Sequence, residues 1–249
     1  MMRALILGGT SGAHLLADAV AREGLQAIYS YAGRTRALAE QQLPTRVGGF
    51  GGASGLADYI RREGITHVVD ATHPFAAGMS RNAVEACAAT GTPLMALERA
   101  PWPKASGDNW IEVPDVASAV AALPGQRARV FLAIGRQHIA AFGARPQHAY
   151  TLRFVDPPDE PLPFPDGDVI VARGPFAFAG ELELMRSRGI EWIVARNSGG
   201  TGGRAKIDAA RELGLPVIMI GRPALPDRPR AESLAEVMLW LGHRTCLVA

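Results

Sequence analysis

Short, nearly continuous apolar runs punctuate this chain. Each is followed by a glycine-bearing loop and then by a stretch with apolar residues at helical spacing. "RALIL" (3–7) leads through "GGTSG" into a predicted helix at 13–23, while "QAIYSY" (26–31) and "TRVGGF" (45–50) are the next predicted strands. "GLADYIRREG" predicts a helix that stops at Gly64, and "THVVDA" (66–71) a fourth strand. "MSRNAVEACAATG" predicts a helix closed by Gly91, before the strand "PLMALE" (93–98). Strands that are apolar at consecutive positions belong to sheets buried on both faces, and regular alternation with helices makes those sheets parallel.

The rhythm breaks at "RAPWPKASGDNW" (99–110), rich in Pro, Gly and small polar residues, which reads as a linker or mobile loop. It then restarts. Asp115 caps a predicted helix at 116–123, and "RVFLAIG" (129–135) and "AYTLRFV" (149–155) are strands. The proline-dense "DPPDEPLPFP" (156–165) is a poor candidate for regular structure. "DVIVARG" (168–174), "EWIVARN" (191–197) and "LPVIMIG" (215–221) complete the strands, with helices near 177–188, 204–213 and 231–241. The expected architecture is α/β: two Rossmann-like domains with mainly parallel sheets, 1–110 and 111–249, alike in plan and separated by a cleft.

Composition sets limits rather than naming a function. The 249 residues are 48% hydrophobic and 20% charged, as in ordinary soluble globular proteins. A net charge of +2 gives no ground for a nucleic-acid or membrane partner. The cations are almost all arginine, Lys104 and Lys206 being the exceptions. A GC-rich genome explains that bias as readily as a need for guanidinium forks that grip carboxylates and phosphates in pairs. Cys87 and Cys246 match no metal or redox spacing, and the apolar run at 4–7 is too short for a signal-peptide core or a membrane span. These features lead to the expectation of a cytoplasmic protein, monomeric because no segment presents an orphan apolar face.

In open parallel sheets, ligands bind beyond the carboxyl ends of the strands. The residues that follow each strand therefore nominate the site. After the first come Gly8, Gly9, Thr10, Ser11 and Gly12. This loop departs from G-x-G-x-x-G, with Thr10 at the second glycine position and Ala13 at the third. Its place between strand and helix N-terminus still favours a pyrophosphate, and a turn without a ligand is the alternative. A site for NAD wants an acid at the end of the second strand. Here stands "GRTR", in which Arg34 and Arg36 can clamp a 2′-phosphate and Thr35 can donate its hydroxyl; the bland reading is a solvated loop. The third strand supplies Gly49, and the fourth supplies Thr72 and His73 within "DATHPFA", at nicotinamide depth. His73 is a candidate proton donor because imidazole titrates near neutrality, although a lone loop histidine is more often structural. No metal site is expected, since His67 and Asp70, three apart on a strand, face opposite sides.

The second half offers a competing loop, "RNSGGTGGRAK" (196–206). Gly200 to Ala205 fits G-x-G-x-x-A better than the N-terminal loop does, so pattern alone would place a dinucleotide here. A Walker A reading fails at Ala205 and Ile207. Yet Arg196, Arg204 and Lys206, beside Asn197, Ser198, Gly199, Gly200 and Thr201, are more than a pyrophosphate cradle needs. Arg136 and Arg173 end further strands. Such a cluster suits a ligand with several carboxylates.

The combination "LILGGTSGAHLLA", "DATHPFA", "GRQH", "ARNSGG" and "KIDAARELGLPVIMI" resembles the precorrin-6A reductase family over nearly the whole chain. The resemblance implies NADPH-dependent reduction of a corrin-precursor macrocycle in vitamin B12 biosynthesis, with hydride delivered to C19 and a proton to C18. It places the pyrophosphate on Gly9, Thr10, Ser11 and Gly12, and the 2′-phosphate on Arg34, Thr35 and Arg36. Gly49 and Thr72 complete the cofactor set, and the loop with His73 would lie near the reacting ring edge. Arg136, Arg173, Arg196, Lys206 and the loop from Asn197 to Thr201 would hold the tetrapyrrole's carboxylates, while 99–110 and 156–165 would close over it. Two rivals keep the same fold: a nucleotide-sugar transferase, and a non-catalytic sensor of NADPH or an acidic ligand.

Overall fold

The computed structural model of the chain describes residues 2–32, 41–158 and 160–242. The first part of the chain forms β1 (Ala4–Leu7), α1 (Ser11–Arg22), β2 (Ala27–Tyr31), β3 (Thr45–Val47), α2 (Gly52–Arg62), β4 (His67–Asp70), α3 (Ala77–Thr90) and β5 (Leu94–Leu97). The second part forms β6 (Trp110–Val113), α4 (Val116–Ala121), β7 (Arg129–Ala133), a 3-10 segment (Arg136–Ala144), β8 (Ala149–Phe154) and β9 (Gly167–Val171). It continues with α5 (Phe178–Ser187), β10 (Trp192–Arg196), α6 (Ala205–Glu212) and β11 (Val217–Ile220). A short β12 (Arg230–Ala231) and α7 (Leu234–Trp240) follow.

Two six-stranded sheets result, ordered β12-β5-β4-β1-β2-β3 and β6-β11-β10-β7-β8-β9, and every pairing is parallel. The α/β class and the parallel sheets stand as the sequence implied. Alternation within β1 explains its apolar run: Ala4 and Ile6 enter one core with Leu16, Val20, Tyr29 and Val237, while Leu5 and Leu7 enter another with Leu56, Ile60 and Ala83. Both faces of the strand are dry.

The division between the two compact units departs from the expected break at 110. One unit holds the residues up to Ala100 together with the segment that begins at Ala224; the other is Pro101–Pro223. The C-terminal segment returns because β12 pairs with β5 (Arg230 beside Ala96, Ala231 beside Leu97), and Val237 and Met238 of α7 join the core beneath α1. An amphipathic helix shows that it has a face to bury, but not which sheet will receive it.

The segment 101–109 is not loose either. Trp102 is buried among Trp110, Phe131, Ile193 and Ile207, and Asp108 accepts from Arg211 Nε (2.9 Å) and Nη2 (3.2 Å). Its proline and glycine content signals an irregular backbone, not an unattached one. Residues 156–158 and 160–165 do lack helix and strand, as their prolines require.

Deep in the second unit, His148 is fully buried, and its Nδ1 accepts from Ala128 N (3.1 Å). Burial, aided by Arg145 and Arg127, lowers its pKa from the ordinary 6.5; His14 and His67 are lowered by burial as well. The unfolded chain therefore takes up protons before the folded one does. Stability should be full above about pH 6.5 and fall as the pH drops below it, by at most about 1.4 kcal/mol per pH unit for each such group. His148→Asn keeps an acceptor for Ala128 but cannot titrate. Urea midpoints measured from pH 7.5 to 5 should fall less steeply in that variant, and an equal slope would show that His148 contributes nothing.

Candidate functional site

In the first unit β1 is flanked by β2 on one side and β4 on the other, so the strand order reverses there and a crevice opens beyond β1 and β4. The loop after β1 is shaped by Tyr29. A Cβ on Gly8 would lie 2.1 Å from Tyr29 Cζ, so only glycine lets that ring pass beneath the loop. The Tyr29 hydroxyl accepts from Gly9 N (2.9 Å), and burial pushes the phenol up to about 12, which keeps it neutral. Thr10, standing where the dinucleotide pattern wants glycine, caps α1: its Oγ1 accepts from Ala13 N (3.1 Å) and donates to Ala71 O (3.0 Å). One hydroxyl thus begins the helix and ties the loop to the end of β4. No acidic residue occupies the first turn of α1, whose leading amides have no partner inside the helix. This is the donor set an anion needs.

At the end of β4, Thr72 donates from its hydroxyl to Asp70 Oδ1 (2.6 Å), which also accepts from Thr72 N (3.2 Å). His73 Nδ1 accepts from Phe75 N (3.2 Å), so in the neutral ring the proton resides on Nε2. Thr10, Gly12 and Thr72 line one cavity of about 130 Å³, walled on the apolar side by Leu15, Leu97 and Leu234. Gly9 precedes Thr10 in the loop after β1, and Ser11 is the first residue of α1. Gly49 does not border the cavity: it follows β3, two strands from β1, and its carbonyl accepts from Arg46 Nη2 (3.0 Å). Arg34, Thr35 and Arg36 lie outside the described residues.

Arg46 went unnoticed in the sequence. On β3 it donates to Ser30 Oγ (2.8 Å) and Gly48 O (2.9 Å), with its guanidinium 3.8 Å from the Phe50 ring centroid. It places a cation beside the end of β2, where Ser30, Tyr31 and Ala32 offer no acid. The only trace in the sequence was an arginine two residues before a glycine pair.

The second unit repeats the plan, with β7 in the place of β1 and β10 in that of β4. The loop 196–206 therefore follows the partner of β4. It is the counterpart of the Thr72–Phe75 loop, not of the N-terminal glycine loop as its pattern suggested. The counterpart of that loop is Gly135-Arg136, at the end of β7. Across the switch point, Arg196 Nη2 lies 2.8 Å from where a Cβ on Gly135 would stand, so the guanidinium rests on that glycine. Burial lowers the Arg196 pKa from the usual guanidinium value.

Several nominated residues build the loop itself. Asn197 accepts from Trp102 N (2.8 Å) and donates to Trp102 O (3.0 Å), and Trp102 Nε1 donates to Gly200 O (2.6 Å). Gly199 and Gly200 both have φ of +68°, a left-handed pair that other residues adopt at a cost. Ser198 turns back on Arg196 O, Thr201 stands exposed at the apex, and Lys206 donates to Gly203 O (2.8 Å) above the Trp102 ring. Arg222, after β11, donates to Asn197 O and Ser198 O (3.1 Å each). Arg136 donates to Asp156 O and Pro157 O (2.8 Å each). Arg173 is exposed beyond β9, three strand spacings from β10, or roughly 14 Å. Arg196 thus lies against Gly135 and the turn from Ser198 to Thr201 follows it in the same loop, while Arg173 stands apart. Cys87 is an inert core thiol, pushed up to about 12 by burial and the nearby Asp70; Cys246 lies outside the described residues.

A doubly wound parallel sheet with a glycine loop leading into a helix N-terminus at its switch point, and the same sheet order in a second unit, defines an α/β protein of two Rossmann-like units. The chain belongs to the CbiJ/CobK precorrin-6x reductase family, whose model matches residues 3–242, and it is an oxidoreductase. It is 59% identical over 242 residues to a precorrin-6A reductase of Rhodobacter capsulatus, covering 97% of this chain and 96% of that one. It is 30% identical to a cobalt-precorrin-6A reductase of Priestia megaterium, covering 97% and 98%. A solved CobK precorrin-6A reductase, 59% identical, superposes with a TM-score of 0.94 over 97% of this chain and 96% of that one. Among the described residues no helix is long and apolar enough to cross a membrane.

Proposed function

We propose that this chain reduces precorrin-6A with NADPH, with hydride going to C19 and a proton to C18 of the macrocycle. The observation that carries this reading is the crevice at β1 and β4, where Thr10, Gly12 and Thr72 meet at a helix N-terminus free of acids, in a chain similar along its length to precorrin-6A reductases. NADPH, when bound, supplies the hydride. The leading amides of α1 would hold its pyrophosphate, and Arg34, Thr35 and Arg36, with Arg46 near the end of β2, its 2′-phosphate. Leu97 and Leu234 would give the cavity an apolar wall, alongside the charged Arg99 and Glu232 that also line it, for the close approach on which hydride transfer depends.

His73 would present Nε2–H towards the reacting edge as the candidate proton source. Arg196 and the Ser198–Thr201 turn would hold carboxylates of the tetrapyrrole. Asn197 and Lys206 would serve by shaping that turn, since their polar groups are bonded to its backbone and to Trp102.

The test is titration with NADPH and NADH, followed by turnover with precorrin-6A. Tighter binding of NADPH and its oxidation by precorrin-6A are expected. Binding without turnover would favour a sensor, and preference for a nucleotide sugar would favour a transferase. Arg34→Ala should raise KM for NADPH by about tenfold, the loss of one charge-assisted phosphate contact, with little change for the tetrapyrrole. An unchanged NADPH KM would remove Arg34 from the site.

A further inference from the structure

Asp70, the last residue of β4, is 3% exposed. Its Oδ1 takes both donors of Thr72, while its Oδ2 is buried without a hydrogen-bond partner. Facing Oδ2 at 3.9 Å is Nη2 of Arg228, a side chain 7% exposed that the returning C-terminal segment brings to the ends of β4 and β5. The same Nη2 donates to Glu98 Oε2 (3.2 Å), and Arg228 Nε is also buried without a partner. The carboxylate and the guanidinium face each other at charge-pairing range, too far apart for a hydrogen bond.

Stability alone does not account for this arrangement, since a buried ion pair seldom outperforms apolar residues of similar volume. An apolar residue would simply have continued the β4 run of Val68 and Val69. What an apolar residue cannot do is orient Thr72. Because Thr72 gives its hydroxyl proton to Asp70, the lone pairs of that hydroxyl are what remain for the cavity. They suit an N–H donor such as a carboxamide.

We propose that Asp70 is a positioning residue for the reduction. It fixes Thr72 as a hydrogen-bond acceptor at the edge of the cavity, and Arg228 holds Asp70 in turn. This rests on the reductase reading above. Tight cofactor binding is ascribed to the phosphates, held by other residues, so misplacing Thr72 should show in turnover rather than in affinity.

The test uses the full chain, with NADPH affinity read by fluorescence titration and kcat measured with precorrin-6A. In Asp70→Asn an amide cannot serve both sides, because its NH₂ must face either Arg228 or the Thr72 donors. Asp70→Asn and Thr72→Val should each lower kcat by about tenfold or more while the Kd for NADPH moves by less than roughly threefold. The double variant should be no worse than the weaker single one, since both break one chain of contacts. Thr72→Ser, which keeps the hydroxyl, should regain most of the turnover lost in Thr72→Val. A kcat unchanged in both Asp70→Asn and Thr72→Val, a Kd that rises in step with the loss of kcat, or losses that multiply in the double variant would each overturn the proposal. If Asp70→Asn does not fold, Asp70→Glu, which keeps the buried charge but moves the carboxylate away from its present position against Thr72, takes its place in the same cycle with Thr72→Val. A wild-type chain that binds NADPH but does not oxidise it with precorrin-6A would instead remove the reductase reading, and the proposal with it.

Discussion

Replacing Gly8 with alanine is expected to destabilise the first unit by about 3 kcal/mol, the upper end of overpacking costs, and to weaken NADPH binding at least tenfold. The added Cβ would stand 2.1 Å from Tyr29 Cζ and 2.2 Å from its hydroxyl oxygen, closer than any side-chain contact allows. Tyr29 cannot give way easily. It is fully buried, with the Tyr31 ring centroid 4.6 Å and the His14 ring centroid 5.4 Å from its own. The loop must therefore move, and with it the Gly9 bond to the Tyr29 hydroxyl and the start of α1, whose leading amides form the proposed pyrophosphate cradle. Thermal unfolding and NADPH titration read the two effects separately. A further Tyr29→Leu replacement should recover part of the lost stability by clearing the space. An alanine variant that melts and binds as the wild type does would show that Tyr29 does not govern this loop.

The second large effect is expected at Trp102. Truncation to alanine removes an indole that is 6% exposed from the core of the second unit, at a cost of about 3–5 kcal/mol. It also removes the Nε1 bond to Gly200 O and leaves Lys206 without the ring beneath it. The loop from Asn197 to Gly203 would keep the two Asn197 bonds to the backbone of residue 102 but lose the tie at Gly200, so KM for the tetrapyrrole should rise while NADPH affinity, a property assigned to the first unit, stays near the wild-type value. Trp102→Phe isolates the hydrogen bond: it keeps most of the packing and should cost only about 1 kcal/mol. If Trp102→Ala loses no more than Trp102→Phe, the segment before β6 is not holding the glycine loop.

Much of the architecture was legible from local pattern. Each predicted strand occurs within a few residues of its expected span, Asp115 caps α4 through Ser118 N (2.8 Å), and Gly91 closes α3 in a left-handed conformation. These features depend on neighbours a few residues away, where periodicity and capping chemistry operate. The candidate site was legible only in outline. Thr10, Gly12 and Thr72 were nominated from their places after strands, and the fold gathers them around one cavity. Arg46 and Arg228 were missed, since nothing beside them in the chain marks what they face. Asn197 and Lys206 were nominated for their chemistry, and the structure shows that chemistry engaged with Trp102 and the backbone.

By itself, then, the sequence determined the parallel α/β class, the approximate place of ten of the twelve strands found among the described residues (β6 and β12 went unpredicted), and the family. Apolar runs, turn residues and a distinctive set of loop motifs are local quantities, written where they act. The tertiary structure decided which strand lies beside which. It gave β12 and α7 to the first sheet, tied Trp102 to Asn197, and set the glycine loop at 196–206 opposite Gly135 as the counterpart of the loop after β4. Those outcomes come from pairings between residues roughly 60 to 130 positions apart. There, burial and hydrogen-bond satisfaction choose among partners that no local pattern distinguishes.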